Sequence, residues 1–345
     1  MLSMSPVELH HSASCRHFAL VCTRALTVAL AVLILGWGLP SRAAPPSPAD
    51  PLQELRAQDL RVASVSYRLA LANKAFCPDA TAPQPGFTLH GLEQYEVADR
   101  ERVSAGFALG RHVGIMAVVP FSPAQKAGLT AGDQLVAVNG RALAVAELGE
   151  RPTRAFVEQA EKIISGRMKS GEVTLRVSSA GAFRDVRFVP ELGCASNVEL
   201  LPGHEVNAWA DGRRVVISAG LVARCDTDDD LALVIAHELA HNLLRHGARL
   251  AAGTGARDGV MRLLGSGSGS ATMRETEEEA DRLAVVLTST ASYDLARAEQ
   301  FMSGLLDRLD AASTAETHPD ADRRLMLLRA EIANARDPSP DVGRH

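Results

Sequence analysis

The sequence predicts an α+β fold made of two parts: a mainly helical part that contains a small sheet, and a β-rich part that is inserted into it. Apolar residues recur at helical spacing near the start of the chain and again after Thr227. Between residues 87 and 190, short β-branched runs alternate with glycine turns. With 345 residues, 46% of them hydrophobic, the chain is long enough to bury two cores.

The charge and the aromatic content argue against a nucleic-acid binder. The net charge is −5, acidic and basic residues are interspersed, and aromatic residues make up 4% of the chain. A nucleic-acid surface needs a basic field or aromatic rings on which bases stack. We therefore expect no nucleic-acid partner.

The N-terminus has the pattern of a secretory signal. Two arginines precede the apolar run 25–39, and a small-x-small cleavage pattern ends at Ala43. We predict a signal peptide over residues 1–43, a Pro/Ala/Ser-rich linker over 44–51, and a periplasmic or secreted protein. The alternative is an uncleaved inner-membrane anchor with the rest of the chain in the periplasm, because the apolar run is long.

Residues 52–80 form the first element of the helical part. Four leucines at helical spacing predict a helix over residues 52–75: Leu52, Leu55, Leu60 and Leu69. The stretch "CPDATAPQPG" then ends the helical pattern.

The β-rich part covers residues 86–190 and contains one predicted helix, 153–164. Its stretch "GIMAVVPFSPAQKAGLTAGDQLVAVNGRAL" resembles the PDZ domain. The resemblance implies that a C-terminal or extended peptide adds to an edge of its sheet. The loop before the first strand should receive the peptide, and "GFALG", residues 106–110, is our candidate. The alternative is a β-rich spacer.

The helical part resumes at residue 191 and extends to residue 335. The run "VNAWADGRRVVISAGLV" predicts a β-hairpin that turns at Asp211-Gly212, and Thr227 is a suitable N-cap for a long helix that reaches about residue 250. Three more helices are predicted, over 273–289, 295–309 and 321–335. A loose tail, residues 336–345, follows them.

The segment "HELAH" points to a metal site. On a helix, His237 and His241 lie four residues apart on one face, so both rings can bind one zinc ion. Glu238 stands beside the first histidine and can take a proton from a metal-bound water. We predict one Zn²⁺ per chain with Glu238 as the catalytic acid/base. The alternative is a helix with two buried or surface histidines.

A catalytic zinc ion needs a third protein ligand. His246 lies nine residues beyond His237, off the spacing that would join the pair, and we interpret it as structural or surface. In "ETEEEADRLA" on the next helix, Glu277 and Asp281 share a face. Glu277 can ligate zinc while Asp281 accepts a hydrogen bond from a ligand histidine. The alternative is a solvated acidic helix start.

These motifs together resemble the CAAX-prenyl-endopeptidase family of gluzincin zinc metallopeptidases, which includes HtpX-like and BepA-like proteins. The segments "NAWADGRRVVISAGLV", "DDDLALVIAHELAHNLLRH" and "THPDADRRL" also agree. The resemblance implies that His237, His241 and Glu277 bind zinc, that Glu238 is the acid/base, and that Asp281 supports the site. The inserted PDZ-like segment and the lack of later apolar spans depart from the prenyl endopeptidase, so a soluble envelope peptidase is the closer likeness.

We therefore expect a zinc-dependent endopeptidase that cleaves unfolded or misassembled envelope polypeptides. Substrate should extend along a strand before the zinc helix, either residues 206–209 or 215–218. One alternative is a peptide-binding quality-control scaffold with a latent zinc site. Another is an anchored regulatory protease with one membrane-protein partner. We expect contact with a membrane only if the signal is not cleaved.

Two cysteines flank the PDZ-like segment. An inserted domain leaves and returns at nearby points, so we predict a disulfide between Cys77 and Cys194. Cys225 is the alternative partner.

His318 in "THPDADRRL" lies on a predicted loop that the resemblance places over the active site. Our hypothesis is a lid that fills the open zinc position. The alternatives are a surface histidine and a residue that stabilises the transition state.

Overall fold

The structure is a computed structural model that describes residues 50–195, 197–254, 271–312 and 321–336. The predicted signal peptide, residues 1–43, and His318 lie outside the described residues. The described residues fall within one compact unit. Among them, no helix has both the length and the apolar character needed to cross a bilayer.

The predicted fold class, α+β, is confirmed. The helices are α1 Pro51–Ala72, α2 Arg100–Phe107, α3 Pro123–Lys126, α4 Ala155–Met168, α5 Ala219–Val222, α6 Asp228–Leu243, α7 His246–Thr254, α8 Ala271–Thr290, α9 Ala298–Ala312 and α10 Ala321–Arg336. The strands are β1 Thr81–Gln84, β2 Phe87–His90, β3 Gly114–Val118, β4 Gln134–Val138, β5 Arg141–Ala142, β6 Val173–Ser179, β7 Ala182–Phe188, β8 Glu191–Cys194, β9 Asn197–Leu201, β10 Ala208–Ala210 and β11 Arg214–Ser218.

The β-rich part is a sheet with the strand order β2-β3-β4-β6-β7, and the short β5 pairs with β4. Neighbouring strands of this sheet are antiparallel. Helix α4 packs its apolar face on the sheet and closes a core with Ile115, Leu135 and Leu175. Along β6, alternation puts Val173, Leu175 and Val177 on the inner face, as expected for a sheet with one face exposed to solvent.

The helical part is built around α6, which packs against α8 and α1. Leu231, Ile235 and Leu239 of α6 are at most 1% exposed. Burial of each such side chain contributes about 1.5–3 kcal/mol to folding, so this packing holds α6 firmly. A three-stranded sheet of order β10-β11-β9 lies beside it, with β10 antiparallel and β9 parallel to β11.

A two-stranded ribbon marks the junction of the two parts. Strand β1 leads into the β-rich part, β8 leads out of it, and the two pair antiparallel with Thr81 opposite Cys194. A disulfide joins Cys77 to Cys194 across 117 residues of sequence, and Cys225 is a free, buried cysteine. The inserted part therefore begins and ends at neighbouring points.

Two predictions about local structure are wrong. Helix α6, which carries the predicted zinc ligands His237 and His241, ends at Leu243 rather than near residue 250, because Arg245 adopts a left-handed conformation with φ 54° and the chain restarts as α7. The candidate peptide loop, residues 106–110, precedes β3, which is an inner strand with β2 and β4 on its two sides. The edge strands of this sheet are β2 and β7, and of these β2 contacts α4, so the loop that leads to the edge beside the helix is the turn before Phe87.

Candidate metal centre

Helix α6 carries the "HELAH" segment in its last two turns. Thr227 caps the helix by accepting a hydrogen bond from the Asp230 backbone N–H, and the Asp230 side chain accepts one from Thr227 in return. This reciprocal cap fixes where the helix begins. Spacing along a regular helix then places His237 and His241 on one face.

Three side chains converge at this point: His237 and His241 from α6, and Glu277 from α8. The Nε2 atoms of the two histidines are 3.1 Å apart. Each Nε2 atom lies 3.5 Å from one oxygen of the Glu277 carboxylate. The structure therefore brings together the three side chains that the sequence predicted as metal ligands.

The donor set fits zinc. Two imidazole nitrogens and one carboxylate are ligands that zinc takes at about 2.0–2.2 Å, and the donor atoms of this set all lie within 4.8 Å of one another. Three protein ligands leave a fourth position for water, which is the pattern of a catalytic site rather than a structural one.

The second nitrogen of His237 faces α8. Its Nδ1 atom lies 3.0 Å from Oδ1 of Asp281, which is where the sequence predicted Asp281 to act. Asp281 in turn receives two hydrogen bonds from the buried Arg324, from Nε at 2.7 Å and from Nη2 at 2.9 Å. Arg324 Nη1 also lies 3.3 Å from Glu277.

Sequence reasoning missed Arg324. It lies in "THPDADRRL", the segment from which only His318 was singled out. An arginine three residues after a predicted helix start is ordinary, and only the packing of α10 against α8 brings it to the two acids. A buried guanidinium between Glu277 and Asp281 balances their charge and fixes both carboxylates.

The second nitrogen of His241 has a different partner. Its Nδ1 atom lies 2.9 Å from Nδ1 of His246, and Nε2 of His246 lies 3.0 Å from Oε2 of Glu279. Arg249 forms an ion pair with the same Glu279 carboxylate. His246 is 1% exposed, so the surface alternative for this residue is wrong and the structural one holds. The left-handed turn at Arg245 is what returns His246 to the ligand pair.

Burial and neighbouring charges set the protonation of the ligands. Burial lowers the pKa of His241 to about 3, with the charge of His237 acting in the same direction. Burial also acts to lower the pKa of His237, but contacts with Asp281 and Glu277 reverse this and raise it to about 10. Although burial opposes it, His237 and Arg324 hold the pKa of Glu277 well below its usual range. The acid is therefore ionised, as a metal ligand must be.

Glu238 directly follows His237 and makes no ion pair among the described residues. Burial raises the pKa of its carboxyl to about 7, with Glu277 and Asp281 adding to this and His237 opposing it. A general base works best when its pKa lies near the working pH. Its pKa suits proton transfer, and its charge interactions with His237 and Glu277 place the carboxyl near the candidate ligands.

Hydrogen bonds from Asn242 of α6 hold the hairpin β10–β11 against that helix. The Asn242 side chain accepts a hydrogen bond from the Gly212 backbone at 2.7 Å and donates one to the Arg214 carbonyl at 3.1 Å. Of the two strands that could align substrate, β11 is the middle strand and β10 lies at the sheet edge. Of these two, only β10, Ala208–Ala210, which overlaps the predicted stretch 206–209, has an edge to offer an extended chain.

Comparisons with known proteins agree with this site. Residues 189–269 match Peptidase family M48, and residues 114–150 match the PDZ domain. The mitochondrial metalloendopeptidase OMA1 of Schizosaccharomyces pombe is 29% identical over 147 residues, which cover 36% of this chain. The match spans 42% of the length of that relative.

A solved structure, the HtrA3 PDZ domain bound to a phage-derived ligand (FGRWV), is 18% identical with a TM-score of 0.25. That match covers 32% of this chain and 88% of the solved one.

The fold and the donor set together define a candidate metal site, made of two histidines and one glutamate, on a helical domain with an insertion that is similar to the PDZ domain. The segment that carries His237 and His241 is similar to Peptidase family M48.

Proposed function

We propose that the protein is a zinc-dependent endopeptidase. The observation that carries the proposal is the meeting of His237 Nε2, His241 Nε2 and the Glu277 carboxylate beside Glu238. The similarity to Peptidase family M48 and to a metalloendopeptidase supports it.

His237, His241 and Glu277 would hold the ion, which when bound polarises a carbonyl and lowers the pKa of water. Glu238 accepts the proton of the attacking water as its oxygen bonds to the scissile carbonyl carbon. The same carboxyl then donates that proton to the leaving amine when the C–N bond breaks. Asp281 and His246 keep the two imidazole rings oriented throughout.

We propose unfolded or misassembled polypeptides of the cell envelope as substrates. The edge strand β10 supports an extended substrate, since a chain that pairs with it needs no fold of its own. Within family M48, the soluble envelope type that resembles HtpX-like and BepA-like proteins accounts best for the predicted signal peptide. Mass spectrometry of the mature N-terminus tests the location, because a start at Ala44 requires cleavage and an intact start requires an anchor.

The catalytic proposal is tested by casein cleavage with purified protein. We expect the wild type to release peptides and Glu238→Gln to release none while both retain zinc. Glu275→Gln, which removes an exposed acid from α8, is the matched control and should behave as the wild type does. A wild type that holds zinc, binds casein and never cleaves it would instead support the scaffold alternative.

A further inference from the structure

A groove lies where the PDZ domain meets the peptidase domain. It forms a cavity of about 410 Å³, within the range of about 300–1,000 Å³ that is usual for ligand sites. Residues of β2 line one side, and one face of α4 lines another with Glu161, Ile164, Ser165 and Met168.

The strand that lines this groove has a free edge. β2 pairs only with β3 among the described strands, so its outer N–H and C=O groups face the cavity side of the sheet. A free edge with a groove beside it can accept an extended chain by strand addition.

The third wall comes from the peptidase domain. Helix α1 contributes Leu55, Asp59, Ala63, Ser66 and Tyr67, which recur at the spacing of one helix face. Strand β9 contributes all of Asn197–Leu201. β9 pairs with β11, the strand that precedes α5 and the zinc helix. Anything bound in the groove therefore touches both domains.

The two domains are held together at the rim of the groove by ion pairs. Arg154, just before α4, contacts Glu199 of β9 at 3.0 Å, and Arg214 of β11 contacts Glu158 of α4 at 3.1 Å. On the opposite side, the Thr88 hydroxyl of β2 donates to Asp59 of α1. The peptidase wall is thus a fixed part of the groove.

The groove carries an excess of negative charge. Its lining includes three acids, Asp59, Glu161 and Glu199, while the only lysine or arginine among its described residues is Arg154. That guanidinium is already shared between Glu161 and Glu199, and Arg214 from outside the lining also contacts Glu199 at 2.8 Å. Asp59 accepts a hydrogen bond from Thr88 but forms no salt bridge within the described part of the chain, so it is the acid of the lining that lacks a cationic partner.

The turn that leads into β2 is poorly suited to a free C-terminal carboxylate. Pro85 has no N–H to donate to such a carboxylate. The acidic side chains of the groove would also repel its negative charge. Gly86, at φ 81°, packs so closely against Ser122 that a Cβ added to Gly86 would lie 2.1 Å from the Ser122 Cβ. A cationic side chain within an extended segment matches the groove better than a chain end does.

We propose that this groove binds an internal, extended polypeptide segment that carries a lysine or arginine side chain, and that the segment contacts the PDZ and peptidase domains at once. The segment adds to the β2 edge, and its cation lies between Glu161 of α4 and Asp59 of α1. The site would select basic stretches of unfolded clients. It goes beyond the proposed hydrolysis, which it does not require.

Fluorescence anisotropy with full-length Glu238→Gln protein tests the proposal, since clients are then not consumed. The probe is a labelled, unstructured peptide with an amidated C-terminus and lysine residues, compared with the same peptide in which glutamine replaces lysine. We expect the lysine peptide to bind, and binding to weaken about tenfold in Glu161→Gln and in Asp59→Asn. Glu172→Gln removes an exposed acid outside the lining and should leave binding unchanged.

Each other result overturns a part of the proposal. Loss in Glu161→Gln without loss in Asp59→Asn would show that the peptidase wall takes no part. Binding that requires a free C-terminal carboxylate, or equal binding of the glutamine peptide, would contradict the internal basic segment. If Asp59→Asn does not fold, Ser66→Lys is used instead, because it places a cation on the same wall. It should weaken binding of the lysine peptide about as strongly.

Discussion

At the scale of single residues, the two histidines of the candidate metal centre are held in two different ways. His237 faces a carboxylate directly, through Asp281, whereas His241 faces a second histidine that is itself held by Glu279. For His241 to donate from Nδ1, His246 must accept at Nδ1 and donate from Nε2 to Glu279. Helix α8 thus supplies one candidate metal ligand, Glu277, and the support for both histidines.

This arrangement predicts that His246 controls zinc affinity. We expect His246→Leu to weaken zinc binding about 10–100-fold, because loss of an outer partner frees the ligand ring. Competition with a chelating dye measures the affinity, and the spectrum of the cobalt-substituted protein reports the ligand geometry. His246→Gln keeps an acceptor and should recover part of the loss.

The exposed His204 provides the control, because His204→Leu removes an imidazole that contacts none of the donor atoms among the described residues. A folded His246→Leu protein with wild-type zinc affinity would show that His246 only fills space.

At the scale of elements, the ribbon β1–β8 and its disulfide determine how the PDZ domain is attached. Both chain crossings lie at this ribbon, beside helix α1. Cys77 and Cys194 were predicted from the sequence by their places at the two ends of the inserted segment, and the structure joins them. The break between α6 and α7 could not be predicted, because Arg245 in a left-handed conformation has no glycine or proline to signal it.

We expect removal of the disulfide in Cys77→Ser/Cys194→Ser to lower the free energy of unfolding by about 2–5 kcal/mol. The bond closes a loop of 117 residues in the unfolded chain, and long loops are those that a cross-link restricts most. Urea titration followed by circular dichroism measures the change. Cys225→Ser removes a cysteine outside the bond and shows how much of the loss is due to the substitution itself.

A wild type whose stability is unchanged by a reducing agent, with the bond shown to be open, would contradict this expectation.

At the scale of the whole molecule, the chemistry was easier to predict from the sequence than the assembly was. The meeting of the predicted ligands follows from helical spacing: His237 and His241 lie on one face of α6, and Glu277 and Asp281 lie on one face of α8. The roles of Arg324 and His246 depend on how α10 and α7 return to α8, which no local pattern encodes.

The groove between the domains was also beyond sequence reasoning. Its walls come from α1, β2, α4 and β9, which are far apart along the chain. The sequence did suggest a peptide site in the PDZ domain, but it assigned the peptide loop to residues 106–110 before β3 instead of to the turn before β2. A strand is recognised from its own residues, whereas an edge is defined by the neighbours that the strand lacks.

The account depends on one zinc ion held by three named side chains. Anomalous diffraction at the zinc absorption edge, from crystals of the zinc-loaded protein, tests this most directly. We predict one peak per chain in contact with His237 Nε2, His241 Nε2 and the Glu277 carboxylate. A peak at any other set of side chains, or zinc-loaded crystals with no peak at these three, would contradict the account.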